Sequence, residues 1–443
     1  MRIGIFGGAF DPVHIRHTEI CGKVMTELAL SKLIIVPSFN PPHKNILESG
    51  FSARKEMLEA AFAFDSRTEI SDAENNGKKN NYACDVVSRI AAENPGAELF
   101  YIIGGDSLEE FSGWRNPEVI ASLATIVAVA RPGYSDAPRL ADGIAERFGA
   151  KVVVSGISAR ELSSTYARAL ISLKIDASKY LPQGVPEIIA RRGLYRGFDK
   201  YLSFVRGVSG DGLFGHAKRT VLCAVRGGAR IGLDYEEAFL SALLHDSAKE
   251  IKFIIRTENG GELPAFRSGV SQSEGACGGG SKEKGSVTAL KADTLKLSGN
   301  YADNASGEMT ESDSEFYEKL KNAEYYAPSD ALGTPVLHQF TGAETAAKVL
   351  GITDGNIIDA IACHTTAKPN MTPLDKLVYL ADKIEDERDY AGADELRRQF
   401  FGGDLDGAFK ECLKINYEYV SGKKRGMYYL TQDAYEYYFG EIL

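Results

Sequence analysis

From Met1 to about Tyr195 the chain alternates short apolar runs with helical stretches of mixed polarity. The runs Arg2–Phe6, Lys32–Pro37, Glu98–Gly104, Thr125–Ala130 and Lys151–Ser155 are candidate strands, several apolar nearly throughout, as strands covered on both faces of a parallel sheet should be. This alternation predicts a doubly wound α/β domain whose ligands lie at the C-terminal ends of the strands. After about Phe198 helical spacing takes over. Tyr235–Lys249, Thr341–Leu350, Ile357–His364 and Pro373–Glu385 carry helical apolar spacing, with no convincing strand pattern between them. That half reads as all-α. The expected domains are 1–195 and 196–443.

Thr257 to Ala327 breaks the helical texture. It holds ten Gly and nine Ser, including Gly278-Gly279-Gly280, with mixed charge and no histidine. About 70 residues without periodicity inside a compact domain read as a flexible insert without chemistry.

Composition narrows the function classes. A chain of 443 residues favours two or three domains. Its net charge of −10 argues against a nucleic-acid partner, which needs clustered Lys and Arg. The six cysteines (Cys21, Cys84, Cys223, Cys277, Cys363 and Cys412) form no CxxC pair, so reduced thiols are expected rather than a zinc ribbon or disulfide framework. The opening Met1–Phe6 reads as a strand rather than a leader, and no apolar run approaches the ~18 residues of a membrane span. The expectation is a cytoplasmic protein without a membrane partner; a homo-oligomer stays open.

Chemistry clusters where the predicted strands end. The first runs into Gly7-Gly8-Ala9-Phe10-Asp11-Pro12-Val13-His14-Ile15-Arg16-His17. Glycines after a strand allow a tight turn and close approach of a ligand. His14 and His17 share one face of the helix that follows, where backbone N–H groups and the helix dipole favour an anion. Taken alone, the two imidazoles make a phosphate site or a hydrogen-bonded pair in a turn. Pro41-Pro42-His43-Lys44 follows the second strand, Gly104-Gly105-Asp106-Ser107-Leu108 ends the third clear one, and Ile157-Ser158 with Ser163-Ser164-Thr165-Tyr166-Ala167-Arg168 follows the last.

Together these resemble the nucleotidyltransferase superfamily with its HxGH and SxTxxR-type motifs, a Rossmann-like fold. The likeness is closest to nicotinate-mononucleotide adenylyltransferases. GGAFDPVH, PSFNPPHK, GGDSL with Trp114, ARPG (which includes Arg131) and SSTYAR fall in that family's order over about residues 1–195. The resemblance implies that ATP lies across Gly7, Gly8 and Phe10, with His14 and His17 on the transferred α-phosphate and Mg²⁺ as cofactor. It further implies that Lys44, Ser164, Thr165 and Arg168 grip phosphates, Arg131 and Asp106 serve ATP, and Trp114 contacts the nicotinate ring. One departure stands out: Arg16 occupies the place of the motif glycine. It could point outward, hold a phosphate, or mark a weakened transferase that survives as a nucleotide-binding module.

In the helical half, His245-Asp246 lies on an apolar run, where an unpaired doublet would be costly and metal coordination resolves the cost. His216 precedes it and Asp382 follows late in Leu374–Ile384. This order resembles the HD phosphohydrolase superfamily. More narrowly, His338 before Gly342-Ala343, His364-Thr365-Thr366 and Tyr379–Glu385 resemble the bacterial HD family of symmetrical diadenosine tetraphosphatases. The likeness implies that His216, His245, Asp246 and Asp382 hold iron(II), manganese or another divalent ion. His338 and His364 would serve a second metal or the phosphate, with Lys249 and Arg388 as candidate phosphate contacts. ATP, nicotinate mononucleotide and dinucleoside polyphosphates are the implied small-molecule partners. The GxGxxG spacing of Gly210–Gly215 lacks a strand-turn-helix frame and reads as a chance match or a loop before His216.

Overall fold

The computed structural model describes residues 1–39, 48–75, 81–130, 136–156, 162–256, 262–265, 286–293, 311–423 and 426–440. The chain divides into two compact units, Met1–Arg196 and Gly197–Leu443.

In the first unit six strands form one parallel sheet: β1 Arg2–Gly8, β2 Lys32–Pro37, β3 Thr68–Ile70, β4 Glu98–Gly104, β5 Ala124–Ala130 and β6 Val152–Gly156. Their order is β3-β2-β1-β4-β5-β6, so the winding reverses between β1 and β4 and opens a crevice at their C-terminal ends. The helices are α1 Ile15–Glu27, α2 Phe51–Phe62, α3 Ala83–Glu93, α4 Gly105–Glu110, α5 Pro117–Leu123, α6 Ala137–Phe148, α7 Ser164–Ser172 and α8 Val185–Arg192. Ile3, Ile5, Val36, Tyr101, Ile103 and Ile126 cover Val86, Val87 and Ile90 of α3, one continuous apolar layer. The apolar runs expected as strands lie in this sheet. The short, half-exposed β3 carries no run long enough to announce it.

The second unit is helical, as expected. It comprises α9 Asp199–Val208, α10 Asp211–Gly228, α11 Tyr235–Leu244, α12 Glu311–Asn322, α13 Leu337–Lys348, α14 Gly355–Cys363, α15 Pro373–Ile384, α16 Ala393–Phe401, α17 Leu405–Ser421 and α18 Tyr429–Phe439. Helices α10, α11, α14 and α15 pack on one another, and α13 packs on α14. Two expectations are corrected. Gly210 caps α10 and Asp211–Gly215 form its first turn, so the GxGxxG spacing is a chance match, as one reading had it, and the alternative of a loop falls. The stretch expected as a featureless insert contributes strands to a four-stranded sheet, β7 Phe253–Arg256, β8 Glu262–Pro264, β9 Val287–Ala292 and β10 Tyr325–Pro328, in the order β10-β9-β7-β8. Its alternation is confined to runs of three to six residues, as in the buried Leu290 and Ala292, and Gly- and Ser-rich flanks obscure it. Cys21, Cys84, Cys223, Cys363 and Cys412 are buried free thiols. Among the described residues no helix is long and apolar enough to cross a membrane.

Candidate active sites

In the first unit β1 delivers Gly7 and Gly8 to the crevice and the chain then turns sharply. A Cβ on Gly8 would sit 3.0 Å from the Phe10 ring, and Phe10 itself is left-handed with φ 49°. Such a backbone, costing about 1–3 kcal/mol, persists only where its surroundings hold it. Here they do. The buried Asp11 carboxylate accepts from the Tyr195 hydroxyl at 2.7 Å, from the Ser49 hydroxyl, and from Glu48 N–H at 3.0 Å. Arg54, buried on α2, donates to the carbonyls of Ala9 at 2.7 Å and Ser49 at 3.2 Å. Arg168 donates to Asp11 O at 2.6 Å and pairs with Glu48 at 3.0 Å, while the Ser164 hydroxyl donates to Pro12 O at 2.9 Å. Thr165 accepts from Arg168 Nη2 at 3.5 Å. Ser164 and Arg168, expected on phosphates, here hold the turn that carries the histidines.

His14 caps α1, and its N–H donates to His17 Nδ1 at 3.1 Å. With that lone pair engaged, a neutral His17 carries its proton on Nε2 and can donate from there. The two rings stack at 3.7 Å. Burial first, then the neighbouring Arg16 charge, lowers the His14 pKa to about 3, so it is neutral near pH 7. Arg16 is itself 8% exposed, which removes the outward-pointing option. Beside this turn a cleft of about 210 Å³ is lined by Gly7, Gly8, Tyr82, Tyr101, Trp114 and Arg115, among others. Asp106 lies in α4, directly after β4. Lys44 and Arg131, with the motifs around them and Ile157-Ser158, fall outside the described residues.

Sequence reasoning passed over Arg54, Tyr195 and Arg115. Arg54 had a signal: it shares helical spacing with buried Met57, Leu58 and Ala61, a lone cation on an apolar stripe.

In the second unit five helices converge on six ligand-type side chains. His216 comes from α10, His245 and Asp246 from the end of α11, His338 from α13, His364 from the end of α14, and Asp382 from α15. The Nδ1 atoms of His245, His338 and His364 each lie 2.7 Å from a backbone carbonyl three residues back, those of Ala242, Pro335 and Ile361. A carbonyl only accepts, so each Nδ1 donates and, in the neutral ring, each Nε2 offers a lone pair to the centre. Two groups result, with Asp246 in both: His216, His245 and Asp246, then Asp246, His338 and His364. Asp246 Oδ1 lies 3.1 Å from His338 Nε2 and 3.3 Å from His364 Nε2, buried and without a donor among the described residues. Three converging acceptors call for a cation, and imidazole plus carboxylate suits a divalent transition metal. Asp382 Oδ1 joins the first group, 2.9 Å from His216 Nε2 and 3.7 Å from His245 Nε2.

Around these ligands lies a shell of charges. Burial would raise the Asp246 pKa, but wherever His245, His338 and His364 carry a proton on Nε2 they outweigh it and hold the carboxyl well below its usual range. For Asp382 burial is likewise overcome, by Lys383, His216 and His245. Glu385, which sequence reasoning gave no role, accepts from Arg219 Nε at 2.7 Å and faces His216 Nδ1 at 3.2 Å. Those contacts bring its pKa to about 2 against the effect of burial. Lys249 and Arg388 stand at the ligands themselves: Lys249 Nζ is 2.6 Å from Asp246 Oδ2, and Arg388 Nη2 is 3.0 Å from Asp382 Oδ1.

A cytidylyltransferase-like family model matches residues 5–170. A probable nicotinate-nucleotide adenylyltransferase of Rubrobacter xylanophilus is 34% identical over 201 residues, 44% of this chain and 92% of the relative. One of Clostridium tetani is 32% identical over 197 residues, 43% of this chain and 98% of the relative. A solved structure from Clostridium acetobutylicum, described as a predicted HD superfamily hydrolase involved in NAD metabolism, aligns with a TM-score of 0.35 and 23% identity. It covers 55% of this chain and 97% of its own.

Proposed function

The chain belongs, through its N-terminal unit, to the nicotinate-nucleotide adenylyltransferase family, and from that premise we propose that this unit transfers the adenylyl group of ATP to nicotinate mononucleotide. The observation that carries the proposal is the stacked His14–His17 pair at the start of α1, beside the Trp114-lined cleft. A mononucleotide phosphate oxygen attacks the α-phosphorus in line. The bond from that phosphorus to the bridging oxygen breaks, and pyrophosphate leaves with deamido-NAD as the other product. No protein nucleophile is needed, so catalysis is positioning and charge stabilisation. His17 donates from Nε2 to the α-phosphate as negative charge builds, and the α1 N-terminus adds its dipole. Trp114 stacks the pyridine ring; Lys44, Ser164, Thr165 and Arg168 serve the phosphates. Mg²⁺, when bound, neutralises charge on the polyphosphate.

For the second unit the proposal is metal-dependent hydrolysis of dinucleoside polyphosphates, diadenosine tetraphosphate giving two ADP. Asp246 Oδ1 facing two histidine Nε2 atoms supports it. His216, His245, Asp246 and Asp382 would hold one ion, with His338 and His364 beside a second ion or the phosphate. Such an ion, iron(II) or manganese, supplies Lewis acidity and lowers the pKa of water. Lys249 and Arg388, at the rim of the ligand set, meet the substrate phosphates.

The experiment assays the purified chain separately with nicotinate mononucleotide plus ATP and Mg²⁺, and with diadenosine tetraphosphate plus iron(II) or manganese. Deamido-NAD in the first and ADP in the second are expected. Absence of either product removes the corresponding half of the proposal.

A further inference from the structure

The cleft beside β1 is apolar and aromatic, yet two charges line it, Glu74 and Arg115. Glu74 is committed to the protein. Its carboxylate accepts from Phe39 N–H at 2.9 Å, and burial raises its pKa. Arg115 follows Trp114 directly and is exposed, its guanidinium 4.4 Å over the Tyr82 ring. A guanidinium held on a ring face keeps its in-plane N–H edge for a planar carboxylate.

We infer that Arg115 selects the acid form of the pyridine mononucleotide over the amide, by meeting the ring carboxylate at the Trp114 end of the cleft. This rests on the transferase reading of the first unit. The ligand is extended, and its ends are chemically different. Its phosphate must reach the His14–His17 turn, so the pyridine lies at the far, aromatic end, on Tyr82, Tyr101 and Trp114. A nicotinate carries a full negative charge there near pH 7, and a nicotinamide carries none. Among the described residues lining the cleft, Arg115 is the cation that can tell them apart. A charge-assisted pair in a partly closed cleft is the kind of contact that a neutral analogue cannot replace.

The test measures kcat/KM for nicotinate and nicotinamide mononucleotide with ATP, on the full chain and on Arg115→Ala and Arg115→Lys. The unaltered chain should prefer the acid. Arg115→Ala should lower the acid-to-amide ratio at least tenfold, mainly through the KM of the acid, and Arg115→Lys should restore part of it. An unchanged ratio in Arg115→Ala, or an equal loss on both nucleotides, would overturn the inference while leaving the transferase reading in place. Transfer to neither nucleotide by the unaltered chain would overturn the transferase reading, and this inference with it.

Discussion

Nε2 of His338 faces Oδ1 of Asp246 at 3.1 Å, while Nδ1 of the same ring donates to the Pro335 carbonyl at 2.7 Å. A lone pair is thus aimed at a carboxylate oxygen. Because Asp246 belongs to both ligand groups, its loss should empty both. Asp246→Ala is expected to lose bound metal, read by elemental analysis, and tetraphosphate hydrolysis with it. Thermal stability of the second unit should fall as well, since a shared ion ties α10, α11, α13, α14 and α15 together. Adenylyl transfer assayed with Mg²⁺ should continue. Full hydrolysis by Asp246→Ala would sink the metal assignment.

His17 donates only when charge has built up at the α-phosphate. His17→Ala should therefore cut kcat by about 10²–10³, the effect of losing one well-placed donor. The KM for ATP should move only a few-fold. A large rise in KM with kcat kept would assign His17 to ground-state binding instead.

Arg16 is a buried cation in the first turn of α1, where the helix dipole opposes it and where it depresses the His14 pKa. A bound polyphosphate would offset that cost. Arg16→Gly is accordingly expected to weaken ATP binding about tenfold, measured as KM or by calorimetry with a non-hydrolysable analogue. Faster turnover without weaker binding would show that the side chain only crowds the nucleotide.

His14 makes the first unit sensitive to acid. Its pKa is about 3 in the fold and 6.5 unperturbed. Between those values the unfolded chain binds a proton that the folded chain refuses, so stability rises with pH and is lost as pH falls from 6.5 towards 3. The slope from this group is at most about 1.4 kcal/mol per pH unit. Urea unfolding at pH 7.5 and pH 5.5 should show a larger drop for the unaltered chain than for His14→Gln. Equal drops would place the imidazole in water in the native state.

Much of this was legible in the sequence, for physical reasons. Strands covered on both faces must be apolar nearly throughout, and β1, β2 and β4 are so after their first residues, Arg2, Lys32 and Glu98. Histidine is rare here, seven in 443 residues, so an ordered set beside Asp246 and Asp382 stood out. What could not be read depends on tertiary placement. Asp11, Ser49, Arg54 and Tyr195 lie far apart in sequence and meet only after folding. Lys249 and Arg388 were expected at phosphates, and nothing local indicated that each would contact a ligand carboxylate.

The small sheet of the second unit gives the last prediction, the deletion of Lys282–Ser314 from the stretch expected as a flexible insert without chemistry. That deletion would take out β9, which pairs antiparallel with β10, Tyr325 opposite Leu290, and with β7, Phe253 opposite Ala292. Leu290 is buried, and the Phe253 and Tyr325 rings, from the two strands flanking β9, meet edge-on at 5.0 Å. The sheet also joins two parts of the metal site. β7 begins seven residues after Asp246, and β10 ends ten residues before His338, with α13 packed on β10. Deleting β9 should expose an apolar edge and loosen the spacing of Asp246 and His338. The expected result is a lower unfolding midpoint and at least tenfold weaker metal binding, with adenylyl transfer retained. Leu290→Ala is the milder test and should cost about 2–4 kcal/mol in urea unfolding. A deletion variant that keeps both its metal and its unfolding midpoint would show that the ligands are set by the helices alone.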